Sequence, residues 1–286
     1  MSRHVLRSAP EGTIALDVTP ESAGWGFSGL RVVRLAAGES YAAATGDAEV
    51  LVLALSGSCR VRCGDDELVV AGRPDVFAGP SDFVYVPRGS DLTLVSDDGG
   101  RFALASARCD RTLPFRHVPA SDVPVELRGA GSASRQVHNL CLPGTFEADR
   151  LIVCEVLTPA GNWSSYPPHK HDEQRDGESE LEEIYYFEVA DGPNGPGIGY
   201  QRVYGHDGAA IDELAEVRSG DVVLIPHGWH GPSMAAPGYD LYYLNVMAGP
   251  GDERAWLISD DPQHAWVRDT WATQAVDPRL PMGGPR

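Results

Sequence analysis

Three segments of the sequence carry the residue types that bind metal ions. His169 and His171 stand two residues apart behind a pair of prolines, the adjacent pair Glu182 and Glu183 opens a later apolar segment, and His230 follows a Pro-x-Gly turn. On an extended chain, side chains two residues apart project from the same side. Three imidazoles and one carboxylate suit a divalent first-row metal and leave coordination positions open for a substrate. The spacing therefore predicts a metal-dependent enzyme.

Either of two adjacent glutamates could supply the carboxylate. If Glu183 faces the interior of a β-barrel, the alternate positions as far as Val189 are aromatic or apolar and face inward with it. If Glu182 faced inward, Glu188 would follow it as an unpaired buried charge, which costs roughly 2–5 kcal/mol. Alternation favours Glu183 and leaves Glu182 as the alternative. For the third histidine ligand, His227 is a possible alternative to His230.

The segment between His171 and the glutamates is polar. Residues 172–178 are Asp-Glu-Gln-Arg-Asp-Gly-Glu, which predicts a loop inserted between two strands. Lys170, the only lysine of the chain, lies between the two histidines. If those histidines point inward, alternation directs Lys170 outward.

Composition excludes several classes of partner. The chain has 286 residues and a net charge of −18, so nucleic acids and anionic membranes, which reward clustered cations, are not expected partners. An acidic protein can bind an acidic small molecule only where a metal or a buried arginine reverses the local field. Five cysteines without metal or redox spacing, and a first segment without a signal-like apolar core, predict a reduced cytoplasmic protein.

The rest of the chain reads as short strands in two similar halves. Each half has an apolar strand, a glycine, and a strand that ends in Pro-x-Gly, at Pro87 and at Pro226. Such a repeat favours two β-barrels over one α/β domain. We predict an all-β protein with an N-terminal barrel over residues 1–128 and a C-terminal barrel with a tail over residues 129–286. Residues 116–140 look like a connection.

Two sets of residues resemble the motifs of the cupin family. The first motif matches Gly161, His169, His171 and Glu183, and the second matches Gly220, Pro226, Gly228 and His230. Four longer segments, residues 166–172, 181–186, 200–204 and 238–250, resemble the 5-deoxy-glucuronate isomerases of inositol catabolism, which are related to the 5-keto-4-deoxyuronate isomerases. The likeness is strongest over residues 130–270.

This resemblance implies a fold, an activity and a cofactor. The fold would be two tandem cupin barrels, that is, double-stranded β-helices or jelly rolls, of which the first lacks the metal motif. The activity would be an aldose–ketose isomerisation of a small sugar acid, 5-deoxy-D-glucuronate, to 5-dehydro-2-deoxy-D-gluconate. The cofactor would be one divalent ion, with zinc favoured over manganese, iron, cobalt or nickel, since all accept such ligands. Pairing through edge strands favours a homo-oligomer.

Further residues are candidates for proton transfer and substrate binding. Tyr242, Tyr243 and Asp240 stand on the strand after His230 and could relay a proton. Arg202 offers a planar cation for the substrate carboxylate. The same ligands would also serve a cupin dioxygenase or decarboxylase, or a non-catalytic cupin that binds sugar acids.

Overall fold

The computed structural model describes residues 3–9 and 11–283 and consists mainly of β-strands. The strands of the first half are β1 (Val5–Leu6), β2 (Ile14–Val18), β3 (Ser28–Leu35), β4 (Ser40–Ala44), β5 (Ala48–Cys63), β6 (Asp66–Arg73), β7 (Phe83–Val86), β8 (Asp91–Val95), β9 (Gly100–Arg108) and β10 (Arg116–Val118). Those of the second half are β11 (Val125–Arg128), β12 (Arg135–Cys141), β13 (Ile152–Thr158), β14 (Trp163–Ser164), β15 (His169–Lys170), β16 (Asp172–Arg175), β17 (Glu178–Glu180), β18 (Glu182–Val189), β19 (Gly199–His206), β20 (Ala209–Val217), β21 (Val222–Ile225), β22 (Trp229–Ala235), β23 (Leu241–Ala248) and β24 (Ser259–Asp260).

Helices are short and peripheral in the part of the chain that is described. The α-helices are α1 (Pro20–Ala23) and α2 (Val267–Thr270), and single 3₁₀ turns cover Val76–Ala78, Ala120–Asp122, Gly131–Ala133 and Trp271–Thr273. None of these helices has the length and apolar character needed to cross a membrane.

The first barrel is built on a nine-stranded antiparallel sheet around β5. The apolar run at the start of β5 alternates between the barrel interior and the opposite face, and a bulge between Gly57 and Cys59 bends it into a second section. In sequence the segments before and after this bulge look like two separate strands, but in the structure they form the single long strand β5. Val52, Val61, Val84 and Phe102 are fully buried inside this barrel.

The second barrel packs a seven-stranded sheet against a six-stranded sheet. The first has the order β1-β21-β18-β23-β13-β12-β11, and the second has the order β20-β19-β22-β15-β24 with β14 added to β22. Tyr185 and Phe187 of β18 lie in the core between these sheets, whereas Ile184 and Tyr186 face the first barrel. The all-β prediction of two tandem cupin barrels is confirmed.

Two local predictions about elements were wrong. Residues 116–140 are not a plain connection, because they contain β10, β11 and β12. The polar segment after His171 is not a loop, because β16 and β17 pair as a two-stranded hairpin that turns at Gly177. The proposed domain boundary at residue 128 stays a prediction; the change of sheet falls between β10 and β11.

One core joins the two barrels. Leu51 and Leu53 of the first barrel share it with Ile184, Leu244 and Val246 of the second. The outward face of β18 is therefore an interface between barrels, where Ile184 and Tyr186 are buried as completely as the residues of the inward face.

Candidate metal centre and adjoining cavity

Three side chains of the second barrel meet between its two sheets. His171 follows β15, His230 lies on β22, and Glu183 reaches them from β18 of the facing sheet. Glu183 Oε2 lies 3.0 Å from His171 Nε2 and 3.1 Å from His230 Nε2. All three are at most 2% exposed, and one ligand atom from each lies within 4.8 Å of the others.

The donor set fits a metal ion. His171 Nδ1 lies 3.2 Å from the carbonyl oxygen of Leu181, and His230 Nδ1 lies 3.2 Å from that of Gly228. Each Nδ1 can therefore carry the proton, which leaves the Nε2 lone pairs directed at the centre of the cluster. His230 Nε2 is buried, and although Glu183 Oε2 lies 3.1 Å away, the two atoms do not have hydrogen-bond geometry, as expected of an atom that is shaped for an ion.

His169 lies beside this cluster. Its Cα is paired with that of His230, and the two rings are 4.4 Å apart, whereas the ring of His171 is 6.3 Å away. Burial and the neighbouring His230 and His171 hold the pKa of His169 well below its usual value, so the imidazole is neutral and able to bind a metal. The structure thus brings three of the four predicted ligands together and places His169 next to them.

The two alternative ligands lie elsewhere. Glu182 faces the first barrel, where its carboxylate accepts hydrogen bonds from the backbone N–H groups of Gly26 at 2.6 Å, Phe27 at 2.9 Å and Ser28 at 2.9 Å. His227 is half-buried and stays outside the cluster. Strand alternation therefore separates the two glutamates as the sequence suggested.

A cavity of about 250 Å³ opens beside His169. It is lined by Arg128, Arg135, Val137, Val156, Ser165, His169, Tyr185, Tyr243, Asn245, Trp256, Ile258 and Arg268. Arginines, hydroxyls and an amide supply its polar groups, and no carboxylate stands among these lining residues. Such a surface suits a ligand that is rich in oxygen acceptors and carries negative charge.

Hydroxyl groups form a chain at the inner wall of the cavity. Ser165 Oγ lies 3.0 Å from Tyr185 Oη and 3.1 Å from Tyr243 Oη, and Tyr243 donates to Ser164 Oγ at 2.9 Å. Ser165 has a φ of 47°, a left-handed conformation that is uncommon for a residue other than glycine. That conformation places its hydroxyl between the two tyrosines, which is a constraint typical of functional sites.

Of the other predicted site residues, only Tyr243 reaches the cavity. Tyr242 points to the opposite face of β23 and donates to Glu155 at 2.6 Å, and Asp240 accepts from the backbone of Ala160 at 2.9 Å. Arg202 lies against Asp212 on the outside of the barrel, with 2.5 Å between Nη1 and Oδ1. The structure does not bring these three side chains to the cavity.

The three arginines of the cavity were not predicted from the sequence. Arg128 and Arg135 pair across β11 and β12, in the region that looked like a connection, and Arg268 belongs to α2. The sequence alone does not mark Arg128 and Arg135 as functional residues. They become candidates only when β11 and β12 are paired, because two like charges then stand opposite each other.

Two tandem cupin barrels, with a buried cluster of two histidines and a glutamate in the second, define a bicupin with one candidate metal centre. The chain belongs to the KduI/IolB family, which it matches over residues 3–267. A relative from Geobacillus kaustophilus, named 5-deoxy-glucuronate isomerase, is 44% identical over 278 residues, which cover 94% of this chain and 97% of the relative.

Solved structures agree with this assignment. The crystal structure of an IolB-like protein from Salmonella typhimurium has a TM-score of 0.85 and 35% identity, covering 92% of this chain and 98% of that one. An oxalate decarboxylase from Lactobacillus farciminis has a TM-score of 0.64 at 12% identity, covering 91% of this chain and 89% of that one. The second likeness concerns the fold alone.

Proposed function

We propose that this chain is a 5-deoxy-glucuronate isomerase, an intramolecular aldose–ketose isomerase of inositol catabolism. The relatives that carry this name align with nearly the whole chain. The observation that carries the proposal is the buried His171–Glu183–His230 cluster beside a cavity with arginine, hydroxyl and amide donors. Such a cavity suits a polyhydroxy acid better than a small apolar substrate.

We assign His171, Glu183 and His230, with His169 as the fourth ligand, to one divalent ion, and zinc is our first choice. When bound, such an ion supplies a Lewis acid that polarises the carbonyl and hydroxyl oxygens of the substrate. The chain's own contribution is to hold the Nε2 atoms of His171 and His230 at fixed positions, through hydrogen bonds between the other ring nitrogen of each and a backbone carbonyl oxygen.

Tyr243 is our candidate for moving the oxygen-bound proton. In the reaction the hydrogen on C2 moves to C1, and the carbonyl moves from C1 to C2. The hydroxyl of Tyr243 would give its proton to the C1 oxygen and take one from the C2 hydroxyl. Burial raises the pKa of Tyr243, while hydrogen bonds to Ser164 and Ser165 and the charge of Arg135 act against this rise. The phenol therefore holds its proton at neutral pH, and the bonds to the two serines steady the oxygen.

The direct test is turnover of 5-deoxy-D-glucuronate by the purified, zinc-loaded protein, followed by proton NMR. We expect loss of the aldehyde signal and appearance of the 2-deoxy ketone, with no oxygen uptake and no release of carbon dioxide. His171→Ala should abolish turnover, whereas His117→Gln, a control in the first barrel next to Asp82, should not. Unchanged substrate, or oxygen uptake in step with its loss, contradicts the isomerase proposal.

The ligand assignment has a separate test in the two adjacent glutamates. We expect Glu183→Gln to lower the bound metal by at least tenfold, because the amide keeps the size of the side chain and removes the charge. Glu182→Gln should keep its metal and instead weaken the contact with residues 26–28. Metal analysis after dialysis distinguishes the two variants, and metal loss in Glu182→Gln alone would show that the assignment is wrong. Cytoplasmic location and homo-oligomeric assembly stay predictions.

A further inference from the structure

We infer that Arg135 anchors the carboxylate of the sugar acid, in a subsite at the arginine-lined part of the cavity. This inference rests on the proposed function and deepens it, because it assigns the end of the substrate that takes no part in the reaction. Arg135 takes the place of Arg202, the residue that the sequence suggested for binding the substrate carboxylate.

Arg135 is a buried cation without an anionic partner. The residue is only 6% exposed, and its Nη1 donates to the carbonyl oxygen of Ala133 at 3.0 Å. None of the ion pairs among the described residues includes it. The other two cavity arginines are paired, Arg128 with Glu126 at 2.8 Å and Arg268 with Asp260 at 2.6 Å. One positive charge is left over, and a single carboxylate would balance it.

The strand register sharpens this imbalance. Arg135 and Arg128 stand directly opposite each other on β12 and β11, an arrangement in which like charges repel. Burial lowers the pKa of Arg135 to about 10, and the charges of Arg128 and Arg268 act in the same direction. Trp271 lies against the guanidinium, with its ring centre 5.4 Å from Cζ, but it brings no negative charge, and a bound anion would supply one.

Other donors at the cavity also lack partners. Asn245 Nδ2 and Trp256 Nε1 are buried atoms without a hydrogen bond in the described structure, and both residues line the cavity with Arg135. Buried donors normally find acceptors. A sugar acid offers a carboxylate for the guanidinium and hydroxyl oxygens for the amide and the indole. The inferred ligand class is therefore a polyhydroxy monocarboxylate.

Placement relative to the metal cluster fits the substrate. His169 and Tyr243 line the same cavity as Arg135. In 5-deoxy-D-glucuronate the carboxylate is at the opposite end of the carbon chain from C1 and C2. With the carboxylate on Arg135, the chain can extend along the cavity toward His169 and the metal cluster. Arg135 is thus a positioning and specificity residue that does not touch the reacting atoms.

The test compares Arg135→Met and Arg135→Lys with Arg218→Met, a control that removes an arginine paired with Glu216 on the surface. KM for 5-deoxy-D-glucuronate should rise about 10- to 100-fold in Arg135→Met, the range of one charged hydrogen-bonded contact, and less in Arg135→Lys, which keeps the charge. Arg218→Met should match the wild type. Metal content should be unchanged in all variants, and Tm of Arg135→Met should equal or exceed that of the wild type, because an uncompensated buried cation is removed.

A second measurement is the preference for the acid over its neutral carboxamide, which would not change if Arg135 had only a structural role. The wild type should prefer the acid over its neutral carboxamide, and Arg135→Met should lose most of this preference. An unchanged KM and an unchanged preference would overturn the inference, as would a fall in Tm that accounts for the loss of activity. Binding of D-glucuronate, measured by calorimetry, separates the two proposals. If the wild type binds it through Arg135 but does not isomerise 5-deoxy-D-glucuronate, the proposed function fails while the carboxylate subsite stands.

Discussion

At the scale of single residues, strand alternation decides which of two neighbours can do chemistry. Tyr242 and Tyr243 are adjacent on β23 and both fully buried, but their hydroxyls lie on opposite faces of the sheet. Tyr243 contacts the serines at the cavity, and Tyr242 contacts Glu155 at the interface between the barrels. The same rule separates Glu182 from Glu183. Function in this chain therefore depends on register at the level of one residue.

Removal of one oxygen from each tyrosine tests this separation. We expect Tyr243→Phe to lower kcat by about 100-fold or more, with a small change in KM, because the proton-transfer group is lost while the carboxylate anchor stays. Tyr242→Phe should instead lower the free energy of unfolding by about 1.5–3 kcal/mol, since it deletes a hydrogen bond to a buried carboxylate. Steady-state kinetics and urea unfolding of both variants measure this. A larger fall of kcat in Tyr242→Phe would contradict the assignment.

At the scale of elements, the hairpin β16–β17 shows how a polar segment becomes ordered. Lys170 points away from the histidines, as alternation predicts, but it is only 4% exposed, because the hairpin folds over it. Its Nζ lies 2.7 Å from both Asp172 and Glu178. Asp172 also accepts from the backbone N–H of Gly228 at 2.7 Å, in the turn before His230. The hairpin thus ties the two histidine-bearing segments together.

This hairpin also shows which parts of the fold could be predicted from the sequence and which could not. The strand that begins at Glu183 was predictable from its apolar run, and the His-x-His pair and the Pro-x-Gly turn mark the segments of His171 and His230. The hairpin was not, because its order comes from Lys170, a residue that periodicity directs toward solvent. The arginines of the cavity were hidden for a similar reason, since β11 and β12 have no strong apolar pattern and their pairing is long-range.

Removal of the lysine charge should destabilise this element. In Lys170→Met the carboxylates of Asp172 and Glu178 lose their shared cation but keep His206 and Arg175, so we expect the free energy of unfolding to fall by about 1.5–3 kcal/mol. Glu173→Gln is the matched control, because Glu173 is 3.2 Å from Lys170 but largely exposed, and its loss should cost less than about 1 kcal/mol. Guanidinium chloride unfolding gives both values. Equal effects in the two variants would mean that the hairpin is not held by Lys170.

At the scale of the whole molecule, buried polar groups lock the two barrels together. Arg73 of the first barrel forms an ion pair with Glu155 on β13 of the second, and both are buried. His138 Nδ1 lies 2.9 Å from the same carboxylate, and Tyr242 donates to it. Together with the shared apolar core, these contacts make the first barrel a support for the sheet whose other face carries Glu183 and Tyr243.

Low pH should weaken the contact between Arg73 and Glu155 that joins the two barrels. Burial acts to raise the pKa of Glu155, but the charge of Arg73 and the hydrogen bond with His138 outweigh it and lower the pKa from 4.5 to about 2. Because the folded-state pKa is depressed, the stabilisation is complete above pH 4.5 and is lost as the pH falls toward 2. Glu155→Gln should cost about 3–5 kcal/mol at pH 7, since it leaves Arg73 unpaired in the interior.

The measurement is urea unfolding of wild type and Glu155→Gln between pH 7 and pH 2.5. The difference between their free energies of unfolding should be constant above pH 5 and should shrink below pH 4.5, because Glu155 of the unfolded wild type takes up its proton there while Glu155 of the folded protein stays ionised until about pH 2. Glu216→Gln is the control, because Glu216 pairs with Arg218 on the surface of the second barrel and is largely accessible to solvent. A difference between wild type and Glu155→Gln that does not change with pH would show that the ionised carboxylate is not what holds the barrels together.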